Sequence, residues 1–202
     1  MDRRDVLKYT AYLTGYAVTA PLTSAILSGC TPEPAAPDFV PAFFTAEEFP
    51  AVSQMAEVML PKTDTPGASE LGIPQFVDLV LAKFTKAKDQ ARLRTGLSTW
   101  LGEVSTQGGT PYAELSAEEQ LRLLNELDAS SKQTAEELEE LDLTKEEKKE
   151  RTPWWLDLKG TMIGAYFSSE FIGTEVLAYD PIPGAYQGCI PVSETGGKNW
   201  SL

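Results

Sequence analysis

Apolar residues recur along most of this chain at three- and four-residue intervals, the spacing of one face of an α-helix. Nowhere do they alternate convincingly, as a half-buried strand would require. Phe49, Val52, Ala56 and Met59 form the first stripe. Thr45-Ala46-Glu47-Glu48 opens it as a capping box, in which the Thr hydroxyl and the Glu48 carboxylate satisfy early backbone N–H groups. Pro50 is tolerated in the first turns, and Pro61 stops the helix. Residues 61–72, PKTDTPGASELG, read as a loop by their Pro, Gly, Asp and Ser content. A second helix is predicted over 74–83, with Phe76, Val77, Val80, Leu81 and Phe84 on its apolar side and a favourable Pro74 at its start.

A third helix is predicted over 88–105 (Leu93, Leu97, Trp100, Leu101, Val104), ended by Gly108-Gly109. Ser116-Ala117-Glu118-Glu119 is another capping box, continued by Leu121, Leu124 and Leu127. Residues 131–151 are densely charged, with a thin apolar edge of Leu138, Leu141 and Leu143, and read as a solvated helical hairpin or extension. The most apolar helix is predicted over 153–168, with Pro153 at N1 and Met162, Ile163, Tyr166 and Phe167 as core. Residues 171–179 read as helical or irregular. From Asp180 the chain is aperiodic, with Pro181, Pro183, Gly184, Gly188 and Pro191, and is predicted to wrap over a surface. The fold class is mainly α: one helical domain over 43–202 with a long irregular C-terminal tail and a charged helical insertion at 131–151.

The N-terminus has a different character. Arg3 and Arg4 precede Val6, Leu7 and Lys8, and a mildly apolar stretch runs over 9–27 to Leu27-Ser28-Gly29-Cys30. This resembles a twin-arginine (Tat) signal peptide finished by a lipobox, with Asp2 before the arginines and Val6 where Phe is common. A permanent membrane span of minimal length is the competing interpretation, weakened by Gly15, Pro21 and several Thr. Cleavage after residue 29 would leave Cys30 to carry lipid, and 30–42, rich in Pro, to serve as an extended tether. The mature chain would have 173 residues and a net charge of −14.

Charge and composition narrow the chemistry. The full chain of 202 residues carries 17 Lys+Arg against 30 Asp+Glu, a net −13. It lacks the basic footprint of a nucleic-acid binder. With no His, no Ser-His-Asp or Cys-His pair and no imidazole ligand can form. Two Cys 159 positions apart make no CxxC or CxxCH, and GxGxxG and GxxxxGK[ST] are absent. Glu47-Glu48 and Glu118-Glu119 lie in helix first turns, where the macrodipole favours acids. No catalytic, cofactor-binding or metal-ligating residue is expected.

Several residues remain as contact candidates. Asp64, in Thr-Asp-Thr-Pro-Gly, reads as an Asx-turn, with partner contact or an ion as alternatives. Trp154, Trp155, Tyr166 and Phe167 read as core rather than the lining of a ligand site. Trp200, in a polar tail, reads as an interface anchor. If Cys30 is lipidated, Cys189 has no partner in the chain. A buried thiol, an intersubunit disulfide and a position near a partner's redox centre all stay open for it.

The mature segments together resemble the gluconate 2-dehydrogenase subunit 3 family, the small subunit of membrane-associated FAD-dependent sugar and sugar-acid dehydrogenases. The resemblance is carried by Phe43-Phe44 with Thr45 and Glu48, and by Met59-Leu60-Pro61 with Thr63-Asp64-Thr65-Pro66-Gly67-Ala68. Gly72-Ile73 and Phe76-Val77-Asp78 add to it, as do Leu177-Ala178-Tyr179, Pro183-Gly184-Ala185-Tyr186 and Gly188-Cys189. It implies a periplasmic, lipid-anchored accessory subunit whose partner is a GMC-type flavoprotein holding FAD. Electrons would leave through haem or iron–sulfur, for instance in a c-type cytochrome subunit. The expected partner contacts are Asp64, Pro66, Gly67, Tyr179, Tyr186, Cys189 and Trp200. Two other function classes compete: a stand-alone acidic envelope lipoprotein that binds a ligand or another envelope protein, and an enzyme acting with carboxylates alone.

Overall fold

The computed structural model describes residues 39–182, 184–185 and 189–201. Arg3, Arg4, the lipobox with Cys30, residues 30–38 of the tether, and Tyr186 lie outside the described residues. The body is mainly helical, as the spacing predicts. In chain order come α1 (Glu48–Met59), α2 (Ile73–Phe84), α3 (Ala87–Gly108), a 3₁₀ turn (Tyr112–Glu114), α4 (Ala117–Glu140), α5 (Lys145–Arg151) and α6 (Trp154–Phe167). A π-helical turn (Ile172–Val176) and a second 3₁₀ turn (Val192–Thr195) follow. Among the described residues the only β pairing is an isolated parallel bridge between Ala178 and Trp200.

The punctuation residues act as their chemistry requires. Thr45 Oγ1 accepts the Glu48 N–H at 3.1 Å, and Glu48 Oε2 accepts the Thr45 N–H at 2.9 Å. That reciprocal pair closes the box, although regular helix begins only at Glu48. Ser116 receives the Glu119 N–H and gives its hydroxyl proton to the same side chain. Gly109, at φ 69°, ends α3 in the left-handed region, which costs glycine little. The charged stretch 131–151 is both extension and hairpin. Helix α4 continues to Glu140, and α5 folds back through a Thr144–Glu147 capping box. Lys148 bridges the hairpin to Glu139.

Helix α6 is the hub, packing on α2, α3 and α4, while α1 packs on α2 and α4. That position explains why α6 is apolar on nearly every side. Its Trp155, Leu158 and Met162 meet Val52 and Met55 of α1, Val77 of α2 and Leu97 of α3 in one continuous buried cluster. At the α3–α6 crossing the helices come so close that a Cβ on Gly96 would stand 2.0 Å from Trp154 Cδ1. Arg92 of α3 adds polar links to Asp157 and to the Thr152 carbonyl. Trp155 donates its indole N–H to Asp128 of α4 at 3.1 Å. Asp128 also receives Lys159 at 2.6 Å and Lys132 at 2.8 Å. Burial opposes its charge, but these donors outweigh that and hold its carboxyl at about 2.

Three expectations need correction. Phe76 and Phe84, placed with the core side of α2, are 51% and 81% exposed. Successive helical residues are 100° apart, so Phe76 turns away from the core that Val77 and Leu81 take, while Phe84, in line with those two, is the last residue of the helix and stays uncovered. Phe167 is likewise exposed on α6, edge-on to the buried Tyr166. Pro153 occupies the position just before the first helical residue of α6.

The start of the body is fixed by a residue that periodicity alone does not mark. Asp78 of α2 is fully buried. Its carboxylate accepts three consecutive backbone N–H groups, from Ala42 (2.7 Å), Phe43 (3.0 Å) and Phe44 (2.9 Å). Arg94 of α3 donates to the Phe43 carbonyl at 2.8 Å and lies 4.5 Å over the Phe43 ring.

Candidate partner-binding site

The loop after α1 is held from two sides. Tyr166, at the end of α6, donates its hydroxyl proton to the Pro66 carbonyl at 3.0 Å and lies 3.1 Å from Thr65 Oγ1. Glu57 of α1 accepts the Ser69 N–H at 3.0 Å. Gly67 is buried beneath this arch. A Cβ there would stand 2.5 Å from Glu57 Oε1 and 2.9 Å from the Lys62 nitrogen, so only glycine lets the two strands of the loop approach. Lys62 pairs with Glu70 across the loop mouth. That hydrogen bond raises the Lys62 amine above its ordinary value and lowers the Glu70 carboxyl.

The turn chemistry differs from the expected Asx-turn. Thr63, not Asp64, closes it: Thr63 N–H donates to the Thr65 carbonyl at 3.0 Å, and Thr63 Oγ1 accepts the Thr65 N–H at 3.4 Å. Asp64 is therefore left exposed at the loop tip with its carboxylate uncommitted. Thr competes with Asp for the same backbone donors, and two Thr flank this Asp.

The C-terminal segment is tied to that loop through a relay of hydrogen bonds. Ser169 Oγ donates to the Tyr166 carbonyl at 2.7 Å, and the Gly173 N–H donates to the Ser169 carbonyl at 2.9 Å. The Leu177 N–H then donates to the Ile172 carbonyl, closing the π turn. The last residues return over this turn. Ala178 N–H donates to the Asn199 carbonyl, and Ser201 N–H to the Ala178 carbonyl, both at 2.8 Å. Lys198 donates to the Glu175 carbonyl at 3.0 Å. Trp200 is thereby paired with Ala178, next to Tyr179 in the chain, and the two aromatics are 53% and 56% exposed. Between loop and π turn lies a shallow depression of about 430 Å³ bordered by Leu71, Phe171 and Glu175.

The structure thus groups the candidates into two neighbouring sets. Asp64, Pro66 and Gly67 share the loop, of which Asp64 and part of Pro66 reach the surface. Trp200 pairs with Ala178 at the tail bridge, and Tyr179 follows Ala178 in the chain. Cys189 is exposed with a free thiol, which overturns its reading as a buried small hydrophobe. The residues that sequence reasoning missed are the clamps: Glu57, Asp78 and Tyr166. Among the described residues no group of three or more His, Cys, Asp or Glu is placed to hold a metal ion, and no helix is long and apolar enough to cross a membrane.

The family model for gluconate 2-dehydrogenase subunit 3 matches residues 46–184, from the first capping box through the clamped loop to Gly184. The chain belongs to the gluconate 2-dehydrogenase subunit 3 family. No curated protein and no solved structure matches it significantly. A subunit 3 is one part of a larger dehydrogenase complex, so the surfaces of this family member matter at least as much as its interior.

Proposed function

We propose that this chain is a non-catalytic small subunit of a periplasmic FAD-dependent, GMC-type sugar or sugar-acid dehydrogenase. It supplies the Tat export signal through Arg3 and Arg4, a lipid anchor at Cys30, and a surface that stabilises the flavoprotein. The tail bridge carries this reading: Tyr179 and Trp200 are large aromatics presented to solvent by backbone that is held by hydrogen bonds. Aromatics already fixed in place lose little freedom on docking and make effective interface anchors. Asp64, exposed at the loop tip, and Pro66, whose carbonyl Tyr166 holds, offer a further contact surface, and Cys189 is exposed on the tail. FAD, and haem or iron–sulfur, belong to partner subunits in this account.

Export tests the reading. A flavoprotein that loads its cofactor before crossing the membrane needs a folded-protein route, and a partner's signal serves both chains. Changing Arg3→Lys and Arg4→Lys together should strand the FAD-loaded flavoprotein in the cytoplasm alongside this subunit. Normal periplasmic flavoprotein in that variant would refute the escort role.

A further inference from the structure

The depression between the clamped loop and the π turn, about 430 Å³ and open on one side, combines two kinds of surface. Its apolar part comes from Leu71, which packs against the core, and from Phe171, 43% exposed. Its charged part is all of one sign: Glu70, Glu170 and Glu175 line it, and no Lys or Arg does. Glu70 has Lys62 as its partner. Among the described residues no cation forms an ion pair with Glu170 or Glu175, both exposed. Glu175 accepts only the Thr174 hydroxyl, at a long 3.4 Å. The shortage of cations extends beyond the rim. Residues 57–72 and 166–182, which border the depression, carry six acids and one base. Lys198 reaches the turn as well, but its ammonium is bound to the Glu175 carbonyl at 3.0 Å.

The depression is continuous with the tail bridge. Glu175 lies on the π turn, and Ala178, three residues on, pairs with Trp200. The end of the tail lies against the same turn, since a Cβ on Gly173 would stand 3.0 Å from Ser201 Oγ. A partner seated on Trp200 therefore has the depression within reach across one short turn. The chemistry of the lining selects the occupant. Two carboxylates without a cation, beside an exposed aromatic ring and a leucine, match an arginine side chain. Its planar guanidinium donates paired hydrogen bonds to carboxylates and stacks on aromatic faces, while its stem covers apolar surface. A second copy of this chain fits poorly, because a net charge of −13 on each copy opposes their approach. The same charge opposes an anionic membrane.

We propose that this depression receives an arginine side chain of the flavoprotein, with the guanidinium against Glu170 and Glu175 and the stem over Leu71 and Phe171. This rests on the small-subunit reading proposed above and gives that interface a charged contact beside its aromatic one. Buried aromatics supply most of the affinity at such a surface, and a charge pair beside them fixes the register of the two chains.

Titration of the full chain against the flavoprotein that co-purifies with it tests the proposal. Glu170→Gln/Glu175→Gln removes both charges and keeps their shape, and both side chains are exposed, so the unfolding midpoint should stay that of the parent. Binding should weaken about tenfold or more and lose much of its salt dependence. The charge-matched control Glu136→Gln/Glu140→Gln, on exposed turns of α4, should bind as the parent does. A benzoyl-phenylalanine in place of Phe171 should crosslink to one flavoprotein peptide. Within that peptide a single Arg→Glu change should weaken binding, and Glu175→Arg in this chain should restore it. Parental affinity in the Glu170→Gln/Glu175→Gln variant would overturn the proposal while leaving the small-subunit reading standing. So would a crosslink from position 171 to lipid or to a second copy of this chain, or an equal loss of affinity in the control. A parent chain that binds no flavoprotein overturns the reading and the proposal together.

Discussion

The Asp78 carboxylate accepts the backbone N–H of Phe44 at 2.9 Å, joining the beginning of the folded body to the middle of α2. Ala42 and Phe43 complete the set, so three consecutive donors converge on one buried acid. A carboxylate is suited to this work because an ionised acceptor makes stronger hydrogen bonds than an amide. Asp78→Ala would leave buried donors unsatisfied and is expected to cost on the order of 3 kcal/mol. Asp78→Asn, which keeps shape but not charge, should cost less. Urea unfolding of the two variants checks the order and the size.

Asp128 makes acid stability predictable. Its carboxyl is held at about 2 against an ordinary 3.8, so its folded form binds a proton less readily than its unfolded form. The stability it contributes is present in full above pH 3.8 and is lost as pH falls through about 2. With the side chain mostly buried, that contribution is about 2 kcal/mol. Asp128→Asn should be less stable than the parent at neutral pH, and the difference should shrink below pH 3.8 and close as pH falls through about 2. Denaturant midpoints measured across that range would show it.

Two glycines on α3 should respond oppositely to alanine. Gly96→Ala drives a Cβ into the Trp154 ring and should destabilise by about 1–3 kcal/mol, since neither helix backbone gives easily. Gly102 has no neighbour within 4 Å of a Cβ, so Gly102→Ala should stabilise by roughly 0.5–1 kcal/mol through reduced unfolded-state freedom. Thermal unfolding of both variants decides between close helix approach and simple helix preference at Gly96.

The tail aromatics separate binding from folding. Tyr179→Ala and Trp200→Ala remove exposed surface and should leave unfolding midpoints nearly unchanged. Each should nonetheless weaken attachment to the flavoprotein by about 2 kcal/mol, as interface anchors do. Titration of the purified subunits measures both. Unchanged affinity in the double variant would remove the tail bridge from the interface.

How much of this was legible in the sequence follows from the range of each interaction. Capping boxes, Pro61 and Gly109 act within a few residues, so the helix ends could be read directly from Thr45, Ser116 and their neighbours. Apolar spacing located the stripe on α2 but not its width: Phe76 and Val77 are adjacent in sequence and face opposite environments. Nothing local marked Asp78, whose partners are more than thirty residues away, although an acid amid Val77 and Leu81 is a signal that a buried acceptor is needed. The return of Trp200 to Ala178 was equally invisible, because it rests on backbone hydrogen bonds that carry no residue signature. Asp64 was noticed for the right loop with the wrong partner, since Thr63 took the role assigned to it.

Co-purification tests the central claim most directly. The full chain, tagged at its C-terminus and extracted from native envelopes in mild detergent, should bring with it a stoichiometric protein that has the absorbance of bound flavin and oxidises a sugar or sugar acid. A chain that purifies alone, with the flavin-dependent dehydrogenase activity left behind in the unbound fraction, would contradict the account.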